Sequence, residues 1–148
     1  MKISNKIWAI IPARSGSKSL KNKNIKIFLG KPLIAHSIIS AKKNNLIDKV
    51  IFSSDSNKYI SIAKKYKCDY YNKRSAKNSR DKSTDYDVFK EIVTFFINQK
   101  VSLPKFFIHL RPTCPIRKNT TITKAIQIFK KKHKSYSSLK SVSFNSHN

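Results

Sequence analysis

Residues 7–24 read IWAIIPARSGSKSLKNKN, and this stretch decides the fold. Ile7–Pro12 is an unbroken apolar run closed by a proline, which predicts a strand buried on both faces. A polar, basic loop follows from Ala13 to Asn24. Its small residues let backbone N–H groups approach an anion. Arg14, Lys18, Lys21 and Lys23 add charge partners suited to phosphate. By composition alone, the same loop serves equally well as an ordinary lysine-rich surface loop. It lacks the Gly-Lys-Ser/Thr ending of a P-loop. The chain's only two glycines, Gly16 and Gly30, exclude a dinucleotide-binding fingerprint.

Working outward, apolar runs alternate between strand and helix spacing. Gly30-Lys-Pro opens a helix with Leu33, Ile34, Ser37, Ile38 and Ala41 on one face. Lys49–Ser53 predicts a second strand, and Ser56 a helix cap for a segment reaching about Tyr66. Cys68–Tyr71 reads as a short strand, and residues 72–83 as irregular. Tyr86–Gln99 is amphipathic, with Val88, Phe89, Ile92, Val93 and Phe96 inside. Lys105–Leu110 predicts another strand, Asn119–Lys132 a helix, and Leu139–Ser143 a last strand. The alternation predicts an α/β domain with a mainly parallel sheet spanning residues 1–148. Ligands in such sheets bind beyond the carboxyl ends of the strands. Ala13–Asn24, Ser53–Ser56 and Arg111–Arg117 all fall there.

The 148 residues suit one core. Net charge is +25, from 32 lysines and arginines against 7 acids. Nucleic acid is one reading of that excess. The lysines are spread along the chain without interleaved aromatics, and Lys, Asn, Ile and Ser are all abundant, so the charge reads as compositional bias. Lys130–Lys134 reads as a solvated helix end. Cys68 and Cys114 have no metal spacing and predict two reduced thiols of a cytoplasmic protein. The N-terminal apolar run is too short for a membrane span.

Ile11–Ile25, in order Ile-Pro-Ala-Arg-Ser-Gly-Ser-Lys-Ser-Leu-Lys-Asn-Lys-Asn-Ile, strongly resembles the signature of the CMP-sialic acid synthetases, the acylneuraminate cytidylyltransferases. Four further blocks resemble the family in the same order: Gly30-Lys-Pro-Leu-Ile, Phe52-Ser-Ser-Asp-Ser, Arg74–Asp87 and Leu110-Arg-Pro-Thr-Cys-Pro-Ile-Arg. The resemblance implies a Rossmann-like nucleotidyltransferase fold and attack of a sugar acid's anomeric hydroxyl on the α-phosphate of CTP, with release of pyrophosphate. It implies Arg14, Lys18 and Lys23 as catalytic cations. Ala13, Ser15, Gly16, Ser17 and Asn24 join them around CTP, with Lys21 as an alternative to Lys23. It implies Arg74, Ser83 and Thr84 near base and ribose, and Arg111 and Thr113 in the nucleotide site. Mg²⁺ is implied as cofactor, and a nonulosonic sugar acid such as N-acetylneuraminate, legionaminate or pseudaminate as second substrate.

The pattern departs from the family in places. Arg111 stands where the family has glutamine, leaving donors only where an amide both donates and accepts. Cys114 replaces a serine and Ser19 a glycine. The family's sugar pocket, dimerisation segment and Asp-x-Asp metal site are expected beyond residue 148, which predicts a chain incomplete at its C-terminus and a nucleotide-binding, inactive remnant as the alternative to an active enzyme. Asp55 has two readings, a contact to ribose or the basic loop and a part in capping the next helix; the helix-capping reading is favoured. Asp81 and Asp85 read as loop hydrogen-bonders, His36 and His109 as packed histidines, and Cys114 as no nucleophile.

Overall fold

The computed structural model describes residues 3–17, 20–80 and 82–142. The chain divides into two compact units, Met1–Ile116 and Arg117–Asn148. In the first, strand β1 (Ile3–Pro12) leads through a basic loop to a two-residue-per-strand hairpin, β2 (Ile27–Phe28) and β3 (Lys31–Pro32). Helix α1 (Leu33–Lys42), strand β4 (Lys49–Ser54), helix α2 (Asn57–Lys64) and strand β5 (Tyr70–Lys73) follow. Helix α3 (Asp85–Asn98) and strand β6 (Leu103–His109) complete it. The sheet order is β5-β4-β1-β6, and every pairing is parallel.

β1 lies between two strands and beneath helices, and its residues Ile7 to Ile11 are at most 3% exposed. Alternation along the strand divides them between two cores. Trp8 and Ile10 join Ile51, Val88, Ile92, Phe96 and Leu103 in the cluster under α3. Trp8 meets the Phe96 ring edge-on at 5.1 Å. Ile7, Ala9 and Ile11 face the other way, where α1 and α2 contribute Ile34, Ile38, Ala41, Tyr59 and Ala63. Carboxylates take strand N–H groups that the ladders leave over. Asp48 accepts the Ile7 N–H at 2.7 Å, and Asp69 accepts the Val50 N–H at 2.7 Å.

The helix starts follow local chemistry. Ser56 accepts the Tyr59 N–H and caps α2. Thr84 and Asp87 form a reciprocal capping box at α3. In the hairpin, Leu29 and Gly30 take φ values of 46° and 75°, the paired left-handed turn that matches strand twist. His36 Nε2 lies 2.7 Å from the Phe28 carbonyl and ties α1 to that hairpin, a structural role. The second unit holds α4 (Asn119–Lys132), with Ile122 and Ile126 buried and Lys130, Lys131 and Lys132 in its last turn.

Several expected boundaries move. β1 begins at Ile3, and the third strand of the sheet is Tyr70–Lys73 rather than Cys68–Tyr71. The register with β4 starts at Tyr70; Lys67 before it belongs to the turn out of α2, and the Asp69 N–H bonds the Val50 carbonyl of β4. β6 starts at Leu103 because pairing with Ile3 and Ser4 reaches back past the proline. Leu139–Val142 form no strand, and Ser143 lies outside the described residues. Cys68 is buried and its thiol is pushed up to about 12, by burial first and then by Asp69, which keeps it unreactive. Phe96→Ala removes the ring that closes the Trp8 cluster and is expected to cost about 3–5 kcal/mol of stability. Urea unfolding of the two chains checks it.

Candidate functional site

All four strands run parallel, so their carboxyl ends open on one edge of the sheet. The order reverses between β1 and β6, since the chain leaves β1 for β4 on one side and later returns to β6 on the other. Such a switch point is the ligand crevice of open α/β sheets. The loops after β1 and β6 flank it. Ala13 N–H bonds the Ser53 carbonyl at 2.9 Å, and Leu110 N–H bonds the Ile10 carbonyl at 3.0 Å, so both loops leave from fixed points.

The β1 loop is built around one carboxylate. Asp55 accepts the Ser15 N–H and the Ser15 hydroxyl, each at 2.8 Å. Further along, buried Asn24 donates through Nδ2 to the Arg14 carbonyl at 2.9 Å. Asn22 takes φ 58°, which asparagine tolerates, and turns the chain into a 3-10 turn at Lys23–Ile25. Asp55 is therefore not the helix cap favoured from sequence. Ser56 caps α2, and the Asp55 carboxylate orients the basic loop. Gly16 is exposed, and a methyl group there would touch nothing within 4 Å. Lys18 and Ser19 lie outside the described residues, as does Asp81.

Arg74 is the other organised cation. It is 7% exposed, and its Nη2 donates to the Ser53 carbonyl at 3.3 Å. Its Nε has no hydrogen-bond partner among the described residues. Burial lowers its pKa, while Asp55 and Glu91 work to raise it and Arg14 to lower it again. Arg74 feels the charge of Arg14, and the positive field at this edge of the sheet favours an anion. Sequence reasoning missed what holds Arg74. Glu91 on α3 accepts from Asn72 Nδ2 at 3.3 Å, Ser75 N–H at 3.1 Å and Asn78 Nδ2 at 2.6 Å. Nothing local in the sequence marks Glu91 except a charged residue among the apolar positions of a helix.

The remaining expected residues have these places. Ala13 is buried at the loop's start, and Ser17 N–H bonds the Ser15 carbonyl. Ser83 donates its hydroxyl to the Lys77 carbonyl at 2.9 Å, and Thr84 is occupied as the α3 cap. Arg111 pairs with Asp85 at the first turn of α3, and His109 Nδ1 stands 3.7 Å from the same carboxylate. Thr113 is exposed in the turn after β6. Lys21 and Cys114 are exposed as well. Among the described residues no group of three His, Cys, Asp or Glu side chains gathers to hold a metal. Asp55 is engaged by Ser15 and Asp85 by Arg111, so these donors do not fit a protein-built Mg²⁺ cage.

Asp55→Ala deletes both bonds to Ser15 and is expected to lower stability by about 1–3 kcal/mol, with Asp55→Asn retaining part of it. Chemical denaturation reads this. Glu91 gives a pH signature. Burial disfavours its charge, but hydrogen bonds from Ser75, Asn72 and Asn78 outweigh that and hold its pKa below the ordinary value. A folded pKa below the unfolded one means the carboxylate's contribution is complete above about pH 4.3. It is lost as pH falls through the lower folded value. The melting-temperature gap between the wild-type chain and Glu91→Gln is thus expected to be constant near neutrality and to close below that pH.

Comparison with known proteins agrees with this geometry. The cytidylyltransferase family profile matches residues 8–148. N-acylneuraminate cytidylyltransferase of Escherichia coli is 36% identical over 124 residues, covering 84% of this chain and 28% of that protein. The CMP-N,N'-diacetyllegionaminic acid synthase of Legionella pneumophila is 34% identical over 138 residues, 93% of this chain and 59% of that protein. The chain therefore spans well under two thirds of the length of these relatives. In fold it is similar to CMP:2-keto-3-deoxy-manno-octonic acid synthetase complexed with CTP, with TM-score 0.68 at 20% identity, covering 86% of this chain and 48% of that one. 4-Diphosphocytidyl-2C-methyl-D-erythritol synthase gives TM-score 0.67 at 9% identity, over 86% of this chain and 55% of that one. These neighbours show the Rossmann-like nucleotidyltransferase fold that the family resemblance implied. A basic loop clasped at a parallel-sheet switch point, in a chain matched from Trp8 onward, has its explanation in descent: the chain belongs to the cytidylyltransferase family.

Proposed function

We propose that this chain binds CTP at the β1–β6 switch point and takes part in activating a nonulosonic sugar acid to its CMP derivative. The observation that carries the reading is the Asp55–Ser15 clasp, which holds the family's signature loop at the carboxyl end of the central strand. In this reading Arg14, Lys18 and Lys23 face the triphosphate, with Ala13, Ser15, Gly16 and Ser17 offering backbone N–H groups and Asn24 bracing the loop. Arg74, Ser83, Thr84, Arg111 and Thr113 line the side of the base and ribose. The relatives' names support a sugar acid as second substrate, since they make CMP derivatives of N-acylneuraminate and diacetyllegionaminate.

The chemistry is a displacement at phosphorus. The anomeric hydroxyl oxygen bonds to the α-phosphorus, the bridge to the β-phosphate breaks, the hydroxyl proton is released, and pyrophosphate leaves. The obstacle is negative charge on the triphosphate, and fixed cations lower it by electrostatics and positioning. Mg²⁺ carried in with the triphosphate would add charge neutralisation of this kind. The cytoplasm is the expected compartment, because CTP is found there. Among the described residues no helix is long and apolar enough to cross a membrane.

The test is pyrophosphate release by the whole chain with CTP, Mg²⁺ and each of N-acetylneuraminate, legionaminate and pseudaminate. Release with one sugar acid above the others is the expected result. CTP binding with no release assigns the chain to nucleotide binding without turnover and overturns the catalytic part. Arg14→Ala is expected to weaken CTP binding roughly 10- to 100-fold, by loss of a charge-assisted contact. Tight RNA binding that ignores this substitution would overturn the nucleotide site itself.

A further inference from the structure

We propose that Glu91 is the positioning residue of the nucleotide site, acting through Arg74. The inference rests on the CTP reading above. Asn72 lies in β5, and Arg74, Ser75 and Asn78 lie on the segment that leaves its carboxyl end; all but Arg74 donate to the Glu91 carboxylate. That carboxylate stands on α3, whose apolar face is locked into the Trp8 cluster through Val88, Ile92 and Phe96. Glu91 therefore ties a loop to the rigid core instead of leaving it to solvent.

Arg74 is caught between these ties. Asn72 Nδ2 also reaches Ser53 Oγ at 3.2 Å, and Arg74 Nη2 reaches the Ser53 carbonyl, so both residues hang from the end of β4. The Arg74 N–H bonds the Ser54 carbonyl at 2.9 Å. With its main chain and one guanidinium nitrogen fixed, the side chain is buried, and its unpartnered Nε is a donor within the protein. An unmet donor on a buried cation is costly, and a ligand acceptor relieves the cost. Glu91 touches no ligand in this scheme. It fixes where the loop, and hence Arg74, presents that donor.

The contribution is one of preorganisation. Without the carboxylate, the loop from Ser75 to Ser79 keeps only the longer Asn78 Nδ2 bond to the Asp87 carbonyl at 3.4 Å as a tie to α3, and CTP binding must order it again. Glu91→Gln keeps the shape and one acceptor oxygen but leaves the amide's N–H groups facing the N–H donors of Ser75 and Asn78.

Titration calorimetry with CTP on the whole chain tests this, using the wild type, Glu91→Gln, Arg74→Lys and the double variant. Inorganic tripolyphosphate serves as a probe of the β1 loop. Glu91→Gln is expected to weaken CTP binding about tenfold while changing tripolyphosphate binding by no more than about twofold. The double variant is expected to bind CTP no worse than Arg74→Lys alone, the non-additivity of residues acting as a unit. Wild-type affinity for CTP in a folded Glu91→Gln chain overturns the assignment, and so do losses that multiply in the double variant. If Glu91→Gln does not fold, Asn78→Ala removes one donor instead and must show the same selective loss of CTP affinity, with unchanged affinity overturning the proposal. A wild-type chain that takes up no CTP overturns the nucleotide reading and this assignment with it. Binding by the wild type with an indifferent Glu91→Gln overturns this assignment alone.

Discussion

Everything at the switch point depends on β1 being paired on both sides by parallel strands. Parallel pairing forces every strand to end on the same edge of the sheet, and a one-residue slip of β1 would carry Trp8 and Ile10 to the α1–α2 face and break their packing under α3. The register then places Pro12 beside Ser53 and Ile10 beside His109. From those fixed exits the β1, β4 and β6 loops have little choice but to meet.

The meeting is secured with very few acids. The chain carries 7 acidic residues against 32 lysines and arginines. All six that lie in the described residues are occupied. Asp48 and Asp69 accept strand N–H groups, Asp87 completes the α3 capping box, and Asp85 takes Arg111. Asp55 holds the basic loop and Glu91 holds the loop that carries Arg74. In a chain this positive, each carboxylate acts as a clip for backbone or a basic side chain. The excess cations remain, and any anion entering the edge of the sheet meets their field. It also follows that no carboxylates are left gathered for a metal among these residues.

Binding and stability are linked through the same clips. Asp55 fastens Ser15 to the end of β4, and Glu91 fastens Asn72, Ser75 and Asn78 to α3, with no ligand needed for either. Preorganisation of this kind reduces the ordering cost of binding. Acid weakens it from the Glu91 side, since protonation removes the charge that Ser75, Asn72 and Asn78 stabilise. The β1 loop and the Arg74 loop thus depend on two separate carboxylates, Asp55 after β4 and Glu91 on α3, while both loops are also bonded to the end of β4 at Ser53.

Sequence by itself determined the α/β class, because continuous apolar runs and helical periodicity are local signals that burial enforces. It determined the family too, since an ordered string such as Ile11–Ile25 is read without coordinates. It located the basic loop and the Ser56 cap, where the chemistry sits within a few residues. Tertiary structure decided what crosses the chain. Asp55 clasps a residue forty positions before it, which no spacing rule reveals, and so its role shifted from capping to loop orientation. Glu91 and Asn72 meet across nineteen positions and looked like unremarkable polar residues. Strand β5 moved two residues because pairing with β4, not apolar content, fixes where a short strand begins. Local chemistry is written in neighbouring residues, while long-range hydrogen bonds exist only once the sheet has set its register.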